Sequence, residues 1–275
     1  MKRKLKLAAV LLSVVLIVVV IGAGCGLETT RQPVEIAHLP ARLQGFTIAH
    51  LSDLHVKEKE SIYREAIERI AKLKPDLVVL TGDFVETPDK IGLCIDIVRQ
   101  IEAPYGVWAV LGNWDYWMGK PKELVTQLRR AGIHVLMNEH AKIDVDGTPL
   151  YLVGVDDPFT DHAELDKALK GVPIDNRGAF VLLLAHSPDI FESAKEKAIP
   201  LTLVGHTHGG QVRLPLIGPI YSLTPTMRKY SAGLFQENGS QMYVNRGLGW
   251  SQTRLRFFCR PELTLITLHG PKGSE

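Results

Sequence analysis

The sequence predicts an α/β fold in which two β-sheets lie between helical layers, and three observations predict it. Short apolar runs alternate with amphipathic stretches from Gln44 onward, the pattern of strands covered by helices. The first half keeps a β-α-β-α-β-α order, whereas the second half holds more strands than helices and so calls for a second sheet. With 275 residues, 45% of them hydrophobic, the chain has the apolar material for a sizeable core.

Phe46 to Ser52 reads as the first strand of this domain. Glu60 to Lys74 carries Ile62, Ala66, Ile67, Ile70, Ala71 and Leu73 at helical spacing and is stopped by Pro75. Asp76–Thr81 is a strand, Lys90–Ile101 a helix, Val107–Leu111 a strand and Lys120–Arg130 a helix closed by Gly132. Ala141–Val145 and Leu150–Val155 flank Asp146-Gly147, a strong hairpin signal. Asp161–Lys170 follows as a helix, then Phe180–Ala185 (strand), Ile190–Lys197 (helix) and the strands Leu201–Val204, Gln241–Val244 and Leu263–Leu268.

Ahead of these elements, Lys2, Arg3, Lys4 and Lys6 precede an apolar run from Leu7 to Ile21 that only Ser13 interrupts, ending in Gly22-Ala23-Gly24-Cys25. Residues 1–25 are expected to be a signal or transmembrane anchor. Positive charge stays on the cytosolic side, which puts the rest of the chain outside the cytoplasm at the cell membrane. A cleaved export signal and a lipidated Cys25 are the alternatives. Residues 26–44 are expected as a linker and 45–275 as one domain. The net charge is +2 and four of the positive charges sit in the tail, so the body is near neutral. Nucleic-acid binding, which needs a clustered basic surface, is not expected. Three cysteines, Cys25, Cys94 and Cys259, form no framework; Cys94 and Cys259 read as small core residues.

Each strand ends in polar residues. They are Asp53-Leu54-His55, Gly82-Asp83, Gly112-Asn113, His186 and Gly205-His206-Thr207-His208-Gly209-Gly210. Ligands of open α/β sheets bind at that edge. Extended backbone would turn Asp53 and His55 to one side, and His206 and His208 likewise, with glycines freeing the loop around them. Two Asp, one Asn and four His are too many donors for one tetrahedral site, and they suit two ions sharing a carboxylate.

In order, these blocks read DxH, GD, GN-x-D, an isolated His and GHTH, and the chain resembles the calcineurin-like metallophosphoesterases from about Phe46 to its C-terminus. Within the family it resembles the bacterial membrane-associated branch with GHTHGGQ, here Gly205–Gln211, and a tail like Arg246-Gly247-Leu248-Gly249 and Arg256–Glu262. The resemblance implies a four-layer α/β/β/α sandwich and a metallophosphoesterase domain over 45–275. It also implies two divalent ions, of manganese, zinc or iron. Asp53, His55 and His208 would hold one ion, Asn113, His186 and His206 the other, with Asp83 bridging; Asp83, Asn113 and Asp115 would be catalytic. The implied reaction is hydrolysis of phosphodiester or diphosphate bonds, a water activated between the ions being the nucleophile.

One position departs from the family. Its block is usually GNHD or GNHE, and this chain has Trp114 where the His assists the leaving group. Trp offers no titratable proton, so good leaving groups are expected to be favoured, or another histidine (His134, His140 or His162) to substitute. The substitution also makes a non-catalytic, metal-dependent binding module conceivable. Trp114 and Arg228 are candidate substrate contacts. The apolar segment Leu214–Tyr221, straight after the histidine pair, suggests an amphipathic, phosphorylated small-molecule substrate and a lip at the membrane. Relatives of the branch act on UDP-2,3-diacylglucosamine. An extracytoplasmic domain, however, fits a broader phosphodiesterase better than a nucleotide-linked precursor made inside.

Overall fold

The computed structural model describes residues 26–58, 60–174, 178–220, 222, 224–251 and 253–271. The expected anchor at 1–25, with Cys25, lies outside them. Among the described residues, no helix is long and apolar enough to cross a membrane.

In chain order the elements are β1 (Glu28–Glu35), β2 (Thr47–Leu51), α1 (Ser61–Leu73), β3 (Leu77–Thr81), α2 (Ile91–Val98), β4 (Val107–Val110), α3 (Asn113–Trp117), α4 (Pro121–Arg130), β5 (His134–Val135), β6 (Glu139–Val145), β7 (Thr148–Gly154), α5 (Leu165–Ala168), β8 (Phe180–Leu184), α6 (Phe191–Glu196), β9 (Leu201–Val204), β10 (Arg213–Leu214), β11 (Gly218–Pro219), α7 (Pro225–Lys229), β12 (Gly233–Glu237), β13 (Ser240–Val244) and β14 (Glu262–His269).

Two six-stranded sheets form, in the orders β1-β14-β2-β3-β4-β5 and β12-β13-β9-β8-β7-β6. In the first, β2 to β5 run parallel and β14 opposes β2. Period-two alternation sorts the buried apolar strand side chains into three cores. Ile48, Val79 and Val110 of the first sheet meet Leu152, Leu182 and Leu203 of the second between the sheets. Ala49, Val78, Leu80 and Ala109 face the helices α1, α2 and α4. Val181, Leu183 and Val244 face α5 and α6 on the other side. The result is the expected four-layer α/β/β/α sandwich. The Asp146-Gly147 turn, both residues at positive φ, joins β6 to β7 in antiparallel register, as the hairpin signal predicts.

Four differences have physical causes. The stretch 26–44, expected as a linker, contributes β1, paired residue for residue with β14 from Glu28↔Glu262 to Glu35↔His269. Its sequence ETTRQPVE buries only Val34 and carries Pro33, the composition of an edge strand, which hides it from a search for apolar runs. The helix expected over 161–170 shrinks to α5. The Asp157 carboxylate accepts from Thr160 N (2.9 Å), and Asn138 Oδ1 accepts from Glu164 N (2.8 Å), so side chains hold the preceding backbone out of the helix. The stretch after Gly112, for which the sequence pattern predicts no element, is the short helix α3. The apolar segment after the histidine pair folds into the small hairpin β10–β11, with Tyr221 outside the described residues.

Candidate metal centre

Strands β2, β3, β4, β8 and β9 all end at one edge, and their following residues converge there. Asp53, His55, Asp83, His186, His206 and His208 are all buried. Two groups form, with ligand atoms within 4.8 Å of one another: Asp53, His55, Asp83 and His208, and Asp83, His186 and His206. Asp83 belongs to both. Its Oδ2 lies 3.4 Å from His55 Nε2 and 3.3 Å from His186 Nε2, between the groups, while its Oδ1 accepts the Trp114 backbone N–H at 2.9 Å. His208 Nε2 is 3.4 Å from Asp53 Oδ1 and 3.0 Å from His55 Nε2, and His206 Nδ1 is 3.1 Å from His186 Nε2.

The convergence does not come from extended backbone, as the spacing suggested. Asp53 (φ 50°), His55 (43°), Asp83 (55°), His206 (68°) and His208 (49°) are in the left-handed region. Each such non-glycine residue costs roughly 1–3 kcal/mol and persists because its surroundings hold it. Here Asp53 N and His55 N donate to the carbonyls of Gly82 and Asp83, at 3.0 and 2.9 Å. Two glycines are required by space. A Cβ on Gly112 would strike the Asp83 carboxylate, and one on Gly205 would strike Ser52 and Asp53. Gly205 therefore serves close approach, not the loop flexibility expected of it.

The donor set fits metal ions on two observations. Asn113 Oδ1 and His206 Nε2 are buried with no hydrogen-bond partner among the described residues, a state that costs about 1–3 kcal/mol per atom unless something satisfies it. Two of the histidines, His186 and His55, are also oriented from behind, as metal-binding imidazoles are. His186 Nδ1 lies 2.7 Å from the Thr81 carbonyl, which can only accept; Nδ1 thus carries the proton and Nε2 faces the centre. His55 Nδ1 lies 3.2 Å from Glu86 Oε1, and Lys57 Nζ, set over the Trp250 ring, lies 2.9 Å from the same oxygen. Arg256, which has only donors, ties the Arg246–Gly249 loop under the centre by donating to the carbonyls of Arg246 and Gly247.

Electrostatics sort the donors. Burial raises the Asp83 carboxyl, but His186, His55 and His206 outweigh it and bring it to about 2. Burial would lower His186, yet the Asp83 carboxylate raises it well above its ordinary value. Burial, with the neighbouring His186, lowers His206 to about 3, so it is a neutral donor at pH 7.

Some expected site residues stand elsewhere. Asp115, expected as catalytic, does not line the cavity. Its carboxylate accepts backbone N–H groups from Asp83 (2.9 Å), Phe84 (2.8 Å) and Gly112 (2.9 Å), which makes it a positioning residue that clamps two ligand loops together. Arg228, expected as a substrate contact, is exposed on α7, and the residue of that helix that reaches the cavity is Met227. His134 stacks on Trp108, His140 faces the Ala168 carbonyl and His162 stacks on Tyr116; none of them lines the cavity in place of the missing histidine. Asn113 and Trp114 do line it, and the Trp114 ring packs edge-on against His55 and Trp117. Glu86 was missed at the level of sequence, where its one signal is an acid three residues beyond a ligand Asp.

The cavity above the centre has a volume of about 850 Å³, with Asp83, Asn113, His206 and His208 at its floor. Its walls include Trp114, Trp117, Phe159, Val212, Ile220 and Met227. Glu86→Ala is expected to weaken metal affinity about 10- to 100-fold by releasing His55, with the fold intact, as read by metal titration and circular dichroism.

The calcineurin-like phosphoesterase family profile matches residues 46–210. The chain is 33% identical over 252 residues to the metallophosphoesterase YkuE of Bacillus subtilis, covering 88% of this chain and 85% of that one. It is 33% identical over 229 residues to the phosphodiesterase YaeI of Escherichia coli, covering 81% and 82%. To the UDP-2,3-diacylglucosamine pyrophosphatase LpxG of Chlamydia muridarum it is 28% identical over 297 residues, 86% of each chain. Among solved structures, GAP50, the anchor in the inner membrane complex of Plasmodium, superposes with a TM-score of 0.50 at 11% identity over 81% of this chain and 80% of that one, a likeness of fold. The extent of the family match, together with relatives that align over most of their length, means that the chain belongs to the calcineurin-like phosphoesterases and is a phosphoester hydrolase.

Proposed function

We propose that the chain hydrolyses phosphodiester or diphosphate bonds of amphipathic substrates with two divalent cations, and that it works at the outer face of the cell membrane, held by residues 1–25. The observation that carries this is the pair of ligand groups sharing Asp83 at the floor of a large, mainly apolar cavity. Asp53, His55, Asp83 and His208 would hold one cation, and Asp83, Asn113, His186 and His206 the other. Bound there, the cations would supply Lewis acidity toward phosphoryl oxygens and a water acidic enough to act near neutral pH.

The chain's own groups do the rest. Asp83 Oδ2 faces both sites while the Trp114 N–H fixes its other oxygen. Asp115 holds the backbone of Asp83 and Gly112, and so the distance between two of the ligand loops. Trp114, Trp117 and Phe159 exclude water from one side and offer flat apolar faces to a substrate body. Likeness to a UDP-2,3-diacylglucosamine pyrophosphatase makes a lipid-linked diphosphate a specific candidate.

The test loads the full chain with manganese or zinc in detergent and assays an activated aryl phosphodiester, an alkyl monoester and a lipid-linked diphosphate. Turnover of the diester or the diphosphate supports the proposal; metal binding without turnover of any substrate favours the binding-module reading that Trp114 raises. Trp114→His keeps the backbone N–H to Asp83 and restores a titratable group. It is expected to speed the alkyl monoester by about tenfold or more while changing the aryl diester by less than about threefold, because general-acid help matters most for poor leaving groups. Equal effects on both substrates would refute that account of Trp114.

A further inference from the structure

A set of exposed apolar side chains stands beside the cavity mouth. Leu216 is fully exposed, Ile217 is 74% exposed and Ile220 60%, with Trp117 and Leu255 more than half exposed. Leu216 and Ile217 form the turn between β10 and β11, and Leu216 is held at φ 68°. A strained conformation that displays a leucine to solvent calls for a functional reason. Ile220 and Trp117 also line the cavity, so the apolar surface runs from the turn into the site.

Topology says which way this surface faces. β14 is antiparallel to β2, with Thr264 opposite His50, so its first residue, Glu262, lies at the edge where β2 ends and Asp53 begins. β1 is parallel to β14, and its first residue, Glu28, pairs with Glu262 at that same edge. The Arg246 guanidinium joins both carboxylates, and Gly249 N donates to the Asp53 carbonyl (2.7 Å). The β10 end of the hairpin is stitched there too, through Arg213 N to the Phe257 carbonyl (2.9 Å). The chain thus enters the fold at the metal-centre edge, two residues after Gly26 and seven after the apolar run Leu7–Ile21 ends. A segment that embeds in a bilayer would draw this edge, and not the opposite one, toward the membrane.

We infer that this edge seats against a lipid bilayer. The β10–β11 turn dips Leu216 and Ile217 into the acyl boundary, and the cavity opens onto the headgroup layer, where a lipid-borne phosphoester reaches Asn113 and Asp83 without crossing water. Apolar side chains seated about 5–10 Å into that boundary are the usual means of interfacial attachment. The inference rests on the membrane anchorage proposed above and deepens the choice of substrate, but its main readout needs neither metal nor turnover.

The test reconstitutes the full chain, with metal chelated, in phosphatidylcholine–phosphatidylglycerol vesicles whose acyl chains are brominated. Emission from Leu216→Trp, taken against the parent chain, is expected to fall by about half or more, as for an indole at interfacial depth. Emission from Glu102→Trp, at the opposite edge just ahead of β4, is expected to be unchanged. With metal restored, the double variant Leu216→Asp, Ile217→Asp is expected to turn over a vesicle-embedded phosphodiester about tenfold more slowly and a soluble aryl diester within about twofold of the parent. Protein that floats with the vesicles while Leu216→Trp stays unquenched overturns the inference, as does a dimer that the double Asp variant converts to monomer, which would make a second copy the occupant. Loss of the soluble activity in the parent chain would fault the phosphoesterase reading and leave the quenching result standing.

Discussion

Asp83→Asn is expected to lower kcat on an aryl phosphodiester on the order of 10³-fold, the scale of removing one partner from a buried set of charges. Metal content is expected to fall below two ions per chain, read by elemental analysis of dialysed protein. The reason is geometric. Among the described residues, Asp83 is the carboxylate shared by both groups, its Oδ2 within 3.4 Å of an imidazole nitrogen from each, so it is the one that offers both sites a negative charge. An Asn keeps the oxygen that accepts from Trp114 N or the one between the histidines, but it loses the charge in either orientation. Near-parental kcat with two ions bound would remove Asp83 from the bridging role.

The same variant has a signature without metal. The Asp83 carboxyl, depressed to about 2, contributes stability above the ordinary carboxylate range and loses it as the pH falls through that value. His186, raised well above its ordinary value, contributes stability below about pH 6.5 and loses it as the pH climbs through its folded value. The pair therefore stabilises the chelated protein from about pH 4 through the neutral range. Asp83→Asn should remove about 3–5 kcal/mol there, seen as a lower melting temperature in chelator at pH 6, with a smaller difference from the parent as the pH approaches 2.

How much of this was legible in the sequence follows from how local each signal is. Asp53, His55, Asp83, Asn113, His186, His206 and His208 were legible because a strand must end before its edge can hold a ligand, and each residue lies just past the end of an apolar run. The β-α-β order and the Asp146-Gly147 hairpin were legible for the same reason. β1 was not, because an edge strand buries one side chain and its partner lies over two hundred residues away. Glu86 was not identified as a support, since its worth lies in which imidazole stands beside it. The backbone at Asp53 and His55 was misread because a DxH spacing fits extended chain as well as two left-handed residues, and only the contacts with Gly82 and Asp83 decide between them. Asp115 was assigned a chemical role from its place in a motif, and its hydrogen bonds give it a mechanical one.

That reassignment yields the second large effect. Asp115→Ala is expected to cost about 3–5 kcal/mol of folding stability and most of the activity, because three buried backbone N–H groups lose their acceptor at roughly 1–3 kcal/mol each before relaxation. Asp115→Asn separates mechanics from acid–base chemistry. One carboxylate oxygen accepts from Asp83 and Gly112 and the other from Phe84, so either orientation of an amide turns its NH₂ toward a backbone donor. The ligand loops should then part slightly and metal affinity should fall, with activity recovering at high metal concentration. Burial and the Asp83 charge push the Asp115 carboxyl up to about 7 despite the amide donors, so participation in proton transfer would leave a limb near neutral pH in the rate profile. A clamp predicts that Asp115→Asn keeps the shape of that profile and regains rate with added metal. A vanished limb that excess metal does not restore would mean that Asp115 moves a proton, which its position behind Asp83 and Gly112 argues against.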